Sequence, residues 1–367
     1  MLGAGVAAAV TLGCLPGTPP AAALPTWSPT GDRIAYTVPA QETASIETAR
    51  PGTLRPVEGA VSYDSAPTQL AWSPAGERIA FEKRTGAISV LGLGRFGGGI
   101  RELVHVETGT VTELGDWSPD GRQLVFARDG HIHVLDVATG EIRYLAEGDH
   151  PTWSHDGLEI AYAVGNDLLG ISPVGGLARL IARAETPIEQ IVWSPDSTRL
   201  AFLGVVIGIV TRFAGRPAYT APARPPIAWR PNGIFFSLDQ VALVNTRIWR
   251  FDPDTETTTA VTHLPRGFNA YFLDASRDGR RVVYGLETAN LPAGLRVVDG
   301  DGRHDGPLLA CHGTPHADVV RGSRLNDVIR VNGGGSDRIN CGRGSDVVYA
   351  DRRDRVARDC ERVTRLP

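Results

Sequence analysis

Histidines are the first residues in this chain whose spacing suggests chemistry. His131 and His133 alternate along one apolar stretch, and His-x-His on a strand can present two imidazoles to a zinc ion. No third ligand stands near them in sequence, so the plain expectation is a polar strand face. His150 and His155 flank Trp153 in a turn region, and His312 and His316 open the C-terminal segment without a spacing that fixes their geometry. The four cysteines (Cys14, Cys311, Cys341 and Cys360) form no C-x-x-C, which argues against a zinc or thioredoxin-type site. A G-x-S-x-G elbow, an H-E-x-x-H helix and a P-loop are all missing from the sequence. The sequence therefore names no catalytic residue, and attention passes to the elements that would position one.

Those elements repeat. Aligned on tryptophan, the chain reads PTWSPTGDRIAYT at Trp27, LAWSPAGERIAFE at Trp72, GDWSPDGRQLVFA at Trp117, PTWSHDGLEIAYA at Trp153, IVWSPDSTRLAFL at Trp193 and IAWRPNGIFFSL at Trp229. A seventh copy, LDASRDGRRVVYG, has Ala275 where the ring stands elsewhere, and the steps are 45, 45, 36, 40, 36 and 46 residues. In each copy a short strand ends at the tryptophan, and Ser-Pro-Asp-Gly supplies turn chemistry. An apolar second strand follows, then an alternating third such as HIHVLD and a fourth such as IRYL. Four strands at a period near forty predict an all-β fold, a β-propeller of seven blades or, because copies five and seven are worn, six. The tryptophans are expected to be wedges between blades, each burying about 200 Å2. Residues serving that purpose recur with the fold and do not by themselves form a site.

The W-S-P-D-G phrase followed by an I-x-V-x-D strand resembles the repeats of TolB-type, WD40-like propellers, over roughly residues 24 to 310. That resemblance implies the fold. It leaves the partner open, an unknown protein or cell-envelope component being the expectation. Some propellers of other kinds host lyase or lactonase-like hydrolase chemistry at the channel mouth. Such a site would draw single residues from several blades, so an enzyme is the alternative to a non-catalytic binding protein.

From residue 311 the texture changes. Aspartates stand at 318, 327, 337, 346 and 354, in steps of 9, 10, 9 and 8, behind glycine-bearing turns such as Asn332-Gly-Gly-Gly-Ser-Asp337 and Cys341-Gly-Arg-Gly-Ser-Asp346. This resembles the RTX, haemolysin-type nonapeptide, which stacks as a parallel β-roll. The resemblance implies that Asp318, Asp327, Asp337 and Asp346, with Gly333, Gly335, Gly342 and Gly344 shaping the turns, hold one or two Ca2+ ions. Against eight acidic residues, 11 arginines follow position 310, so the alternative is a metal-free roll in which arginine neutralises the aspartates. Cys341 with Cys360 is the preferred disulfide, tying the last turn back, and Cys311 could pair with either instead.

Residues 1–23 read as an export segment, with an apolar run through residue 14, no preceding cation, and Ala21-Ala22-Ala23 as a cleavage site. The run is too short to span a bilayer, so no transmembrane segment is expected. Thr-Leu-Gly-Cys14 faintly resembles a lipoprotein box, so a lipid anchor is the lesser alternative to secretion. A formal net charge of −4 argues against a nucleic-acid partner, while 42% hydrophobic residues suffice for a core. The expectation is an extracytoplasmic monomer of three parts: the export segment 1–23, the propeller 24–310 and the roll 311–367.

Overall fold

The structure, a computed structural model, describes residues 10–13, 23–39, 44–51, 58–63, 67–83, 85–93, 99–105, 110, 112–213, 215–239, 246–264, 268–288, 291–307, 311–312, 317–322, 325–331 and 335–365. Among these residues every regular element is a strand. Seven four-stranded antiparallel sheets follow one another along the chain, over 23–63, 67–104, 112–147, 149–183, 190–222, 224–260 and 268–307. The first strand of each sheet touches the first strand of the next, and the seventh touches the first. The ring is a seven-bladed propeller. Both worn copies form complete blades, which removes the six-bladed alternative.

Seven apolar clusters fill the seven gaps between blades. Trp27, Trp72, Trp117, Trp153, Trp193 and Trp229 each lie in one of the clusters, between 3% and 8% exposed. At three of these gaps the indole also bonds across. Trp72 Nε1 donates to the Thr26 carbonyl at 3.0 Å, Trp117 to Ala71 at 3.0 Å and Trp193 to Thr152 at 3.3 Å. Between blades six and seven, where Ala275 replaces the ring, Arg230 reaches forward instead and donates Nε to the Ala275 carbonyl at 2.7 Å.

The Ser-Pro-Asp-Gly turn closes on itself in a way that explains its recurrence. In blade three the Gly121 amide donates to the Ser118 carbonyl, Ser118 Oγ donates to Asp120, and the Gln123 amide donates back to Ser118 Oγ. Gly121 has φ +70°, a conformation that glycine adopts without the Cβ clash. Adjacent turns also pack together: Pro29 lies 3.8 Å from where a Cβ on Gly76 would be, Pro74 3.5 Å from that of Gly121 and Pro119 3.6 Å from that of Gly157. Each proline thus roofs the glycine of the following blade.

Every blade is a continuous segment, so no strand is exchanged where the chain's two ends meet. Side chains close the ring there. Trp27, Ile34 and Tyr36 pack against Val283, Leu295 and Val297, and Arg281 lies over the Trp27 ring at 4.6 Å. Asp274 of blade seven accepts from the Trp27 amide at 2.8 Å and from Thr26 Oγ1 at 3.2 Å.

Beyond the propeller the chain coils into two parallel sheets. One contains Asp318–Arg321, Arg338–Asn340 and Arg355–Val356; the other Cys311–His312, Val328–Arg330, Val347–Ala350 and Arg362–Arg365. Their inward residues, among them Val320, Ile329, Ile339 and Val348, form one small core. Cys341 and Cys360 are joined by a disulfide within that core, and closing a loop of 19 residues stabilises the roll by about 3 kcal/mol. Val10–Gly13 adds a fourth parallel strand beside Asp318–Arg321. Cys14 and the Ala21–Ala22 part of the cleavage sequence lie outside the described residues, and Cys311 is described by its backbone alone.

The roll is pinned to blade seven. Leu325 is buried in that blade's cluster, and the fully buried Arg296 donates Nη2 to the Asn326 carbonyl at 3.0 Å. Arg296 Nε also pairs with Asp305 at 2.9 Å, and the Tyr284 hydroxyl donates to the same carboxylate at 2.8 Å.

Candidate functional site

The seven inner strands and their turns line one cavity of about 820 Å3. It runs from three or four residues before each repeat position to one or two residues after it. The wall therefore has a loop end and a turn end. In blades one, four and seven the inner strand bulges three residues before the repeat position, at Leu24, His150 and Phe272, whose φ values are +51°, +55° and +45°. Such bulges re-aim a side chain, and all three residues line the cavity.

Most charges in the channel are engaged. At the loop end His150 pairs with Glu113, ring Nδ1 to Oε1 at 2.7 Å, and its amide donates to Oε2 at 3.0 Å. The bond from Glu113 holds the His150 imidazolium above its ordinary range, against the opposing effect of burial. Further along, Asp116 accepts from Thr152 Oγ1 at 2.6 Å. Asp274 accepts from Arg230 Nη2 at 2.7 Å, and Arg230 Nη1 donates to the Trp229 carbonyl at 2.9 Å.

Two donors at the turn end are left over. His155 and Arg277 occupy the position that holds proline in the other five blades (Pro29, Pro74, Pro119, Pro195 and Pro231). Both side chains are exposed to the channel, and among the described residues neither has a hydrogen bond or ion pair. Enclosure within the channel wall lowers the His155 pKa, Arg230 and Arg277 lower it further, and Asp116 and Asp156 oppose them. His155 was visible in the sequence as a turn histidine. Arg277, Arg230 and the acidic wall residues were not singled out, although the break in the Ser-Pro pattern marked the first two.

Of the paired histidines of blade three, His131 is exposed and His133 is a packing residue. His133 is buried, stacked on Phe126 at 5.3 Å with Tyr144 at its edge, and its Nδ1 faces the His131 carbonyl at 2.9 Å. His131 turns its Nδ1 to the Asp129 carbonyl at 2.8 Å. His312 is described by its backbone alone and His316 lies outside the described residues. Among the described residues no group of three or more His, Cys, Asp or Glu is arranged to hold a metal ion.

In the roll, Asp318, Asp327, Asp337 and Asp346 are all buried and stack in two ladders. Asp337 Oδ1 accepts from the Asp318 amide at 2.8 Å and Asp346 Oδ1 from the Asp327 amide at 2.8 Å. The Asp337 amide in turn donates to Asp354 at 2.9 Å, and that of Asp346 to Glu361 at 2.7 Å. Oδ2 of Asp337 and Oδ2 of Asp346 are buried with no partner. Burial, with Asp327, Glu361 and Asp359 nearby, pushes the Asp346 carboxyl up to about 7, and burial with acidic neighbours likewise raises Asp337. No arginine among the described residues pairs with these two carboxylates. Of the glycines, Gly335, Gly342 and Gly344 have φ +90°, +95° and +139°, and Gly333 lies outside the described residues. A Cβ on Gly344 would fall 2.6 Å from the Leu325 carbonyl oxygen, so only glycine allows these turns to stack.

No protein-family model matches the chain, and no curated protein is similar to it. Among solved structures it is similar to TolB from Acinetobacter baumannii, with 18% identity and a TM-score of 0.40. The similarity covers 53% of this chain and 52% of that one, so the match spans about half of the TolB chain. No helix of the described residues is long and apolar enough to cross a membrane.

Proposed function

We propose that this chain is an exported, non-catalytic binding protein that receives a segment of a protein or cell-envelope partner in the propeller channel. One observation carries the reading: an axial cavity of about 820 Å3 is walled by all seven blades and keeps two unbonded donors, Arg277 and His155, at its turn end. The acids of the same wall are engaged, Glu113 by His150, Asp116 by Thr152 and Asp274 by Arg230. That arrangement supports holding a ligand, because the groups the wall leaves open are hydrogen-bond donors. Residues 1–23 serve export in this reading, 24–310 form the binding module and 311–367 the roll. A disulfide at Cys341–Cys360 supports an oxidising compartment.

The test is site-specific cross-linking with a photoreactive phenylalanine derivative, placed at Phe272 in the channel or at Tyr144 on an outer strand. Both positions already hold an exposed aromatic residue, 39% and 53% respectively, so neither substitution disturbs the core. In an envelope extract of the source cells, position 272 is expected to label one discrete species and position 144 none. Equal labelling from both, or labelling from 144 alone, contradicts the channel reading.

For the roll we propose one or two bound Ca2+ ions, supported by the orphaned Oδ2 atoms of Asp337 and Asp346 and the glycine turns beside them. Each of these two carboxylates would supply a hard oxygen donor of the kind Ca2+ takes, with turn carbonyls and water filling the remaining positions. Calorimetry on the full chain is expected to show saturable Ca2+ uptake that Asp346→Asn reduces, with the unfolding temperature rising as calcium is added. No uptake, together with identical unfolding in chelator, would remove the metal from the account.

A further inference from the structure

Proline roofs the turn glycines of blades two, three and four, but the turn glycine of blade one is left uncovered. A Cβ built on Gly31 meets nothing within 4 Å, because Arg277 stands in blade seven where proline would cover it. A notch of about 300 Å3 opens there beside the channel, bounded by Pro29, Thr30, Gly31, Arg277, Asp278 and Arg281. Arg277 lines both spaces. The other groups of the notch are committed: Arg281 donates to the Gly31 carbonyl and lies over Trp27, while Asp278 accepts from Ser276 Oγ at 2.6 Å and from the Arg280 amide at 3.1 Å. Across the channel His155, at the equivalent position of blade four, offers its unbonded ring. In a repeat protein the residues that build the ring recur, so two symmetric departures that face one cavity and bond to nothing need another explanation.

We propose that Arg277 anchors a carboxylate of an acidic peptide segment in this notch, with His155 donating to the same ligand from the opposite wall. The inference rests on the channel being the binding face and adds the chemistry of what it binds. A guanidinium matches a carboxylate with two parallel hydrogen bonds, and the pairing is stronger inside a walled cavity than on an open surface. The molecule as a whole carries a formal net charge of −4, so an acidic partner gains nothing from long-range attraction and depends on a local cation.

The test uses hexaglutamate and hexaglutamine peptides carrying an uncharged fluorophore, with the full-length chain and fluorescence anisotropy as the readout. Arg277→Pro restores the repeat residue and re-roofs Gly31, so the variant is expected to unfold at the wild-type temperature or above. It is expected to weaken hexaglutamate binding about tenfold or more, equivalent to about 1.4 kcal/mol. Arg358→Ala, at an exposed position of the roll, should leave binding unchanged. Hexaglutamate binding that survives Arg277→Pro, or hexaglutamine binding of equal strength, overturns the carboxylate anchor while cross-linking from Phe272 stands. Absence of both interactions also overturns the anchor, and the cross-linking pattern then decides separately whether the channel binds a partner at all.

Discussion

Replacing Arg296 with methionine is expected to release the C-terminal roll from blade seven and to cost about 3–5 kcal/mol of stability. The guanidinium has no solvent exposure, and three of its bonds converge on the junction: Nε to Asp305 Oδ1 at 2.9 Å, Nη2 to the Asp305 carbonyl at 3.3 Å and Nη2 to the Asn326 carbonyl at 3.0 Å. Methionine fills much of the same volume, so the loss is chiefly electrostatic. Asp305 keeps its charge beside Tyr284 with no cation, and the carbonyl of the roll loses its donor. Denaturant unfolding should show the lower stability, and limited proteolysis should cut between residues 308 and 317 faster than in the wild type. Tyr284→Phe, which removes only the hydroxyl donated to Asp305, should cost about 1 kcal/mol and leave the roll attached. A wild-type digestion pattern in Arg296→Met would show that Leu325 and the disulfide-tied core suffice to hold the roll.

Asp274→Ala should be comparably damaging, by about 3–5 kcal/mol, because it opens the ring at the only interface between the first and last blades. The carboxylate accepts from Thr26 Oγ1, from the Trp27 and Ala275 amides and from Arg230, so one side chain joins blades six, seven and one. It is only 17% exposed and Arg230 25%, so water replaces little of what is lost. Thr26→Val removes a single donor and should cost about 1 kcal/mol. A double-mutant cycle of Asp274→Ala with Arg230→Met should give a coupling well above the few tenths expected of an exposed pair. Additive effects would mean that the Arg230–Asp274 pair contributes nothing to the joint between blades six and seven. Wild-type stability in Asp274→Ala would mean that Arg281 and the apolar contact of Trp27 with Val283, Leu295 and Val297 suffice to close the ring.

Much of this architecture is legible from local pattern. The Trp-Ser-Pro-Asp-Gly phrase works within a few residues of itself: Ser118 bonds Asp120 and Gln123, and Gly121 takes the positive φ, so a linear reading finds the turn. Its recurrence counts the blades, because a wedge such as Trp117 needs only a neighbouring sheet to pack against. Glycine-aspartate steps foretold a stacked roll for the same reason, since each rung repeats the last. Copy seven, although it lacks the ring, kept enough of its strands for a blade.

Sequence alone determined the forty-residue repeat, the turn chemistry and the change of texture at residue 311, since each depends on contacts between near neighbours in the chain. The choice of seven blades over six came from the structure. Tertiary structure decided which departures from the repeat are free. Arg230 is consumed by Asp274 and the Ala275 carbonyl, 44 and 45 residues away, whereas Arg277 and His155, 122 residues apart, face one channel unbonded. Likewise nothing in the run Leu-Arg-Val-Val distinguishes Arg296 from a solvent-facing arginine. Its burial arises because the roll folds back over blade seven and removes water from a charge that Asp305 and the Asn326 carbonyl then satisfy. Which of a chain's charges are shielded, paired or left available is set by closure in three dimensions, and a pattern of period forty carries no record of it.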